Sequence, residues 1–175
     1  MNGAFRIRHL APAEALDAAP ALGAVLADCV AGGASVSFMA DMTPDDAEAF
    51  WRTQANADDG RAILVAEDDE AIFGVVQVIP AWPPNQPHRC DISKLLVHRR
   101  ARRRGAAQAL MSAAEAAAAA MDRPVMVLDT VTGGAADQLY EKLGWTRVGV
   151  IPDFALMPDG AMAATTVFYK QALGE

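Results

Sequence analysis

Lys94-Leu95-Leu96-Val97-His98-Arg99-Arg100-Ala101-Arg102-Arg103-Arg104-Gly105-Ala106-Ala107-Gln108 decides the reading of this chain, because three kinds of structure follow one another around it. Residues 89–97 predict a strand, a basic loop containing one glycine follows, and residues 106–121 predict an alanine-rich helix with Leu110, Met111, Ala114 and Met121 along one side. Strand, glycine loop and helix in that order make a phosphate site. The first helical turn offers N–H groups without intrahelical partners and a partial positive charge. Gly105 leaves the backbone uncovered where phosphate oxygens must approach, small Ala106 and Ala107 extend that clearance, and the arginines add charge-assisted hydrogen bonds. Taken alone, the same loop reads as a solvated basic turn, so its surroundings must decide.

Upstream, residues 5–10 alternate apolar and basic side chains as a half-buried strand does. A helical stretch runs from Pro12 to Val30 with Leu16, Leu22, Val25 and Leu26 as its apolar residues; Pro20 kinks or divides it, and Gly32-Gly33 ends it. Residues 34–41 read as a loop packed on the body. Thr43-Pro44-Asp45-Asp46 opens a second helix, with a capping hydroxyl, proline in the first turn and acids at the positive end. Residues 63–67 and 72–79 are β-branched strands joined by an acidic turn, and the proline-rich segment 80–87 is a loop carrying Trp82. Downstream, residues 124–128 predict a strand, 135–143 a helix stopped by Gly144, and 145–150 and 163–169 the last two strands. With no internal repeat and no linker, residues 1–175 read as a single α/β domain around a mixed sheet.

Composition bounds the function. A chain of 175 residues, 53% hydrophobic, buries one core without staples. Cys29 and Cys90 are too few for a disulfide framework, lack metal-ligand spacing and read as buried thiols, so no metal is expected. A net charge of −7 repels long polyanions, which argues against nucleic acid as a partner. Yet Arg99, Arg100, Arg102, Arg103 and Arg104 supply five of the 15 basic residues, and a tight positive spot on an acidic body suits a small polyanion. No secretory leader and no bilayer-length apolar run is evident, so a cytoplasmic location without a membrane partner is expected.

The strand Lys94-Leu95-Leu96-Val97 followed by Arg102-x-x-Gly105-x-Ala107 resembles the acetyl-CoA signature of the GNAT N-acetyltransferase superfamily, Gln/Arg-x-x-Gly-x-Gly/Ala. Further on, Ala136-x-x-Leu139-Tyr140-Glu141-Lys142-Leu143-Gly144-Trp145 is similar to that superfamily's second block, with Trp where Phe is common. The resemblance implies a mixed, mostly antiparallel sheet with a splayed central strand and helices on both faces. It also implies acetyl-CoA as co-substrate. Leu95, Leu96 and Val97 would hold the pantetheine arm, Arg102, Arg103, Arg104, Gly105, Ala106, Ala107 and Gln108 the phosphates, and Ala136 and Tyr140 would line the same site. Arg99 stands where proline is common, Arg103 where glycine is, and Gly133 where an asparagine often contacts the arm. A narrower likeness, to the tabtoxin-resistance branch, covers Gly32-Gly33-Ala34-Ser35-Val36-Ser37-Phe38-Met39-Ala40-Asp41, Leu128-Asp129-Thr130, Tyr140, Thr146-Arg147-Val148-Gly149 and Met157-Pro158-Asp159-Gly160. It implies a small amino-acid-like acceptor, acetylated on an amine or hydroxyl, with a toxin or antibiotic among the candidates.

Acetyl transfer to an amine needs the thioester held beside it, a base for the ammonium proton and an acid for the departing thiolate. By match to the second block, Tyr140 is the candidate acid. Asp91 and Asp129, acidic positions in otherwise apolar strands, are the candidate bases, either of which can serve. His98 among the arginines makes a poor proton acceptor. Phe38, Trp51 and Trp82 are candidate pocket walls, with core packing the plainer role for Phe38 and Trp51 and Trp82 the one of interest, because loops carry specificity. Alternatives stay open: a polyamine or protein N-terminus as acceptor, or a non-catalytic acetyl-CoA-sensing module. A homodimer is compatible with all of these.

Overall fold

Residue patterning makes the sheet first. In the computed structural model, which describes residues 4–172, seven strands run in the order β1 (Arg6–Leu10), β2 (Ala62–Glu67), β3 (Ile72–Pro80), β4 (Arg89–Val97), β5 (Val125–Val131), β7 (Met162–Gln171) and β6 (Thr146–Leu156). Every neighbouring pair is antiparallel except β4 with β5, which is parallel. Helices α1 (Pro12–Asp17), α2 (Ala19–Ala31) and α3 (Pro44–Ala55) cover one face, and α4 (Ala106–Ala120) and α5 (Ala135–Lys142) the other. The two cores follow from strand alternation: on β2, Ile63 and Val65 pack with α2 and α3, while Ala62, Leu64 and Ala66 pack with α4. Helix α4 lies close on the sheet. A Cβ on Gly74 of β3 would meet Leu110 Cδ1 at 3.1 Å and Ala66 Cβ at 3.2 Å.

Local chemistry behaves as the sequence predicts. Thr43 Oγ1 accepts from Asp46 N at 3.1 Å and Asp46 Oδ2 accepts from Thr43 N at 3.0 Å, a reciprocal cap that starts α3. The hydroxyl and amide of Thr43 hold the Asp46 carboxyl below its usual range. The long first helical stretch is divided at Ala18, just before Pro20, into α1 and α2. The segment 34–41 is irregular, and Cys29 and Cys90 are free, buried thiols.

The final hairpin is longer than its residues suggest. β6 continues past Val150 to Leu156, and β7 runs three residues nearer its start and end combined than the 163–169 expected. Pro152 and a left-handed Asp153 (φ 50°) interrupt the alternation, and the register shifts between Ile151 and Ala155. Because β6 is an edge strand, it tolerates a proline and a bulge that a central strand would not.

The functional opening comes from β4 and β5. They pair only at Arg89–Val125, Cys90–Met126 and Asp91–Val127, then part. On its other side β4 is bulged: Gln77 pairs with Ser93 and Val75 with Leu96, so Lys94 and Leu95 together face Val76. Lys94 takes φ 54° to make this bend. The sheet is thus splayed at its centre, as expected.

Candidate active site

Parting strands leave a cleft of about 1000 Å³. Ser93–Val97 of β4 form one wall and Asp129, Thr130 and Val131 of β5 the other, with Arg102 and Ala107 at one end and the segments 32–39 and 154–157 over the cleft. A smaller cavity of about 420 Å³ adjoins it, sharing Ile92, Ser93, Asp129 and Phe154 as walls and adding Asp91 and Val167.

The arginine loop delivers uncapped amides to the first end. After a 3₁₀ turn (Arg99–Ala101), Arg103 takes φ 64° and Gly105 φ 81°, a left-handed conformation that costs glycine nothing. Gly105 is the N-cap of α4, and no side chain caps it. The first intrahelical bond is Ala109 N to Gly105 O at 3.0 Å, which leaves the amides of Ala106, Ala107 and Gln108 as the orphan donors of the first turn. Their dipoles and the Arg102 side chain together suit an anion.

The arginines themselves divide by position. Asp28 accepts from Arg99 at its backbone (2.7 Å) and guanidinium (2.9 Å). Arg100 and Arg104 both donate to Asp68 in the β2–β3 turn, at 3.2 and 3.1 Å, and lie over the Phe73 ring at 5.5 and 4.9 Å. The Arg100 guanidinium, with other donors, holds the Asp68 carboxyl far below the usual carboxylate range. Arg102 borders the cleft, its Nε 3.4 Å from the Val97 carbonyl, and Arg103 is exposed. Charge at the cleft's mouth therefore centres on Arg102, and Arg99, Arg100 and Arg104 brace the loop from behind.

At the other end, sheet register explains why two carboxylates share a face. Asp91 pairs with Val127, and Asp129 lies two residues further along β5, so both aspartates project from the α1–α3 face. Both line the smaller cavity, and Asp129 lines the larger cleft as well. Asp91 Oδ1 accepts from Arg89 Nη1 at 2.6 Å. Asp129 is exposed to the opening, and its Oδ2 lies 2.7 Å from Thr165 Oγ1, which is also 2.9 Å from the Thr130 carbonyl; the single hydroxyl proton serves either acceptor.

Tyr140 reaches the cleft from α5. The residue is 5% exposed, and its ring packs against Trp145 and Phe168, with centroids 6.0 and 5.7 Å away. Burial, helped by the charge of Asp129, pushes the phenol well above the usual tyrosine range, so it keeps its proton as a donor must. Its hydroxyl has no hydrogen-bond partner among the described residues.

Of the residues singled out from sequence, the cleft wall contains Leu95, Leu96, Val97, Arg102, Ala107, Asp129, Ala136 and Tyr140. Asp91 lies in the adjoining cavity. Gly105 and Ala106 shape the helix start, Gln108 is exposed, and Arg104 is drawn to Asp68. Phe38 lines the cleft, whereas Trp51 is fully buried in the core and Trp82 is 90% exposed on its loop, away from both cavities. Lys94, Ser37, Phe154 and Thr165 line the cleft without having been singled out. Among the described residues no cluster of three or more His, Cys, Asp or Glu is placed to hold a metal ion, and no helix is long and apolar enough to cross a membrane.

Known proteins share this fold. The chain is similar in fold to an N-acetyltransferase from Staphylococcus aureus Mu50 (TM-score 0.80, 18% identity, 97% of this chain and 99% of that one). It is similar to the Salmonella typhimurium protein yncA, solved with its cofactor acetyl-CoA (TM-score 0.79, 19% identity, 99% and 96%). A ribosomal-protein-alanine N-acetyltransferase from Brucella melitensis matches too (TM-score 0.76, 20% identity, 95% and 99%). At these identities the likeness carries the fold. The family follows from the sequence itself, residues 17–145 of which match the sequence model of the acetyltransferase (GNAT) family. The chain belongs to the acetyltransferase (GNAT) family, whose members are acyltransferases that draw on acetyl-CoA.

Proposed function

We propose that the protein transfers acetyl from acetyl-CoA to the primary amine of a small amino-acid-like molecule, of the kind the tabtoxin-resistance branch takes. One observation carries the reading: a single cleft joins the uncapped start of α4 to Asp129 and Tyr140. The donor set fits the co-substrate. Amides of Ala106, Ala107 and Gln108 with Arg102 receive the pyrophosphate, Arg103 stands near enough in sequence to add charge, and the backbone of Leu95, Leu96 and Val97, parted from β5, is free to hold an extended amide-bearing arm. Bound there, acetyl-CoA supplies an activated acyl group on a thiol leaving group.

This chain's residues supply positioning and proton traffic. Asp129, or Asp91 beside it, holds the acceptor ammonium and takes its proton directly or through water, which frees the nitrogen lone pair. Thr165 orients the Asp129 carboxylate. Tyr140 Oη gives a proton to the departing sulfur, a role that its neutral, buried phenol suits. General acid and base of this kind each contribute about 10²–10⁴-fold.

The reading places the protein in the cytoplasm, where free thiols such as Cys29 and Cys90 stay reduced. It includes a homodimer through β6, a sheet edge on which Val148, Val150, Ile151 and Phe154 are exposed and which a second copy would cover. Sedimentation velocity tests that part; a monomer at micromolar concentration removes it. Thiol release from acetyl-CoA, followed against a panel of amino acids, polyamines and N-terminal peptides, tests the activity. Tight acetyl-CoA binding with no turnover across the panel would instead support the non-catalytic sensing module.

A further inference from the structure

Among the described residues Lys94 is a cation without an ion-pair partner. Bulging of β4 puts it in the left-handed region (φ 54°), a conformation that costs a residue with a side chain about 1–2 kcal/mol. The result is a half-buried ammonium in the cleft wall. Its Nζ donates to Ser37 Oγ at 3.2 Å and stands 5.6 Å from the centroid of the Phe50 ring. No carboxylate lies within ion-pairing distance of it among the described residues. An ammonium carries three donors, and a neutral hydroxyl and an aromatic face do not neutralise its charge. Elsewhere in the fold a comparable lysine is paired: Lys170, also half-buried, donates to Glu115 at 2.8 Å. Burial at Lys94 disfavours its charge, and the carboxylate of Asp129, across the cleft, acts in the opposite direction.

The cleft therefore offers two opposite charges around the reaction end: Asp129 on β5 and Lys94 on β4, with Ser35, Ser37 and Ser93 as neutral donors and acceptors near them. Arg102, the other cation on the cleft wall, stands beyond Val97 at the phosphate end. We propose that Lys94 is a specificity residue that binds the carboxylate of the acceptor, so that the preferred acceptor is an amine that also bears a carboxylate. The proposal rests on the acetyl-transfer reading and narrows it. A polyamine would set a second cation against Lys94, and a peptide N-terminus would offer a neutral amide where the anion is wanted; a free amino acid satisfies both charges. The bulge that opens the sheet also turns Lys94 into the cleft, and its unneutralised charge then has a use, a site prepared for an anion that arrives with the substrate.

The test uses matched acceptors, each amino acid of the standard set beside its own amide, with the full chain and saturating acetyl-CoA. A charge-assisted hydrogen bond predicts kcat/KM for the acid above that for the amide by about 10- to 100-fold. Lys94→Met should erase this preference by raising KM for the acid while the amide is little affected, Lys94→Arg should restore part of it, and acetyl-CoA affinity should stay as in wild type. Equal kcat/KM for acid and amide in wild type would overturn the proposal. So would a Lys94→Met variant that loses activity on both alike, or one that loses acetyl-CoA binding. Should wild type acetylate no amine at all, the acetyl-transfer reading falls, and the carboxylate site is judged separately by NMR. The Lys94 side-chain resonance, assigned by its disappearance in Lys94→Met, should then move on titration with N-acetylalanine but not with its amide; no difference between the two would refute the site.

Discussion

Replacing Tyr140 by Phe separates what the phenol does from what the ring does. The residue is 5% exposed, its ring lies against Trp145 and Phe168, and phenylalanine keeps all of that packing. The hydroxyl borders the open cleft and bonds to none of the described residues, so its removal should leave the fold about as stable as before. Activity should move the other way. Loss of a general acid predicts a fall in kcat of about 10²–10⁴-fold, which is about 3–5 kcal/mol of barrier. The pH dependence carries a second signature. Because burial raises the Tyr140 pKa above its unfolded value near 10, its contribution to stability is complete below about pH 10 and declines as pH rises beyond that. Wild type should therefore lose stability above pH 10 faster than Tyr140→Phe does. Steady-state kinetics at saturating acceptor, calorimetric acetyl-CoA affinity and urea denaturation at pH 7 and above 10 measure these terms. A kcat within threefold of wild type would refute the acid role, and a stability loss of several kcal/mol would refute the claim that the hydroxyl has no structural partner.

Gly105→Ala meets no atom within 4 Å of the new Cβ, so its cost is backbone strain at φ 81°, about 1–2 kcal/mol in urea denaturation, with weakened acetyl-CoA binding as the start of α4 relaxes. Arg102→Gln should weaken acetyl-CoA binding and flatten its salt dependence, whereas Arg104→Gln, which breaks the contact with Asp68, should lower thermal stability more than affinity; equal effects would contradict the division of the arginines. Burial pushes the Cys90 thiol up to about 11 from 9.0, so its contribution is complete below pH 9 and is lost as pH rises through 11, a change of about 3 kcal/mol. Cys90→Ala should lack that slope between pH 9 and 11, and an identical slope would place its origin elsewhere.

Much of the architecture was legible because the interactions that make it are local. A cap such as Thr43–Asp46 spans four residues, proline division of α1 from α2 needs only Pro20, and the strand–loop–helix around Gly105 follows from φ preference and alanine propensity. The candidate site was legible in part. Asp91, Asp129 and Tyr140, proposed from residue type and resemblance, line the cleft or the cavity beside it, as do Arg102, Ala107 and Leu95–Val97 from the loop motif. Trp82, the loop residue of interest as a pocket wall, proved to stand in solvent, since a loop's sequence does not say which way it lies.

By itself, then, the sequence determined the order of elements, the helix starts and stops, the glycine turn before α4 and the family. Tertiary structure alone decided where charge ends up. Three of the five arginines are drawn behind the loop by Asp28 and Asp68, partners 32 to 71 residues away in the chain. Asp91 and Asp129 share a face only because β4 and β5 pair in one register, and Lys94 enters the cleft only because a bulge against β3 turns it there. Each of these depends on which strands meet and in what alignment. A shift of one residue would turn each side chain to the opposite face, and that choice is made by the packed core.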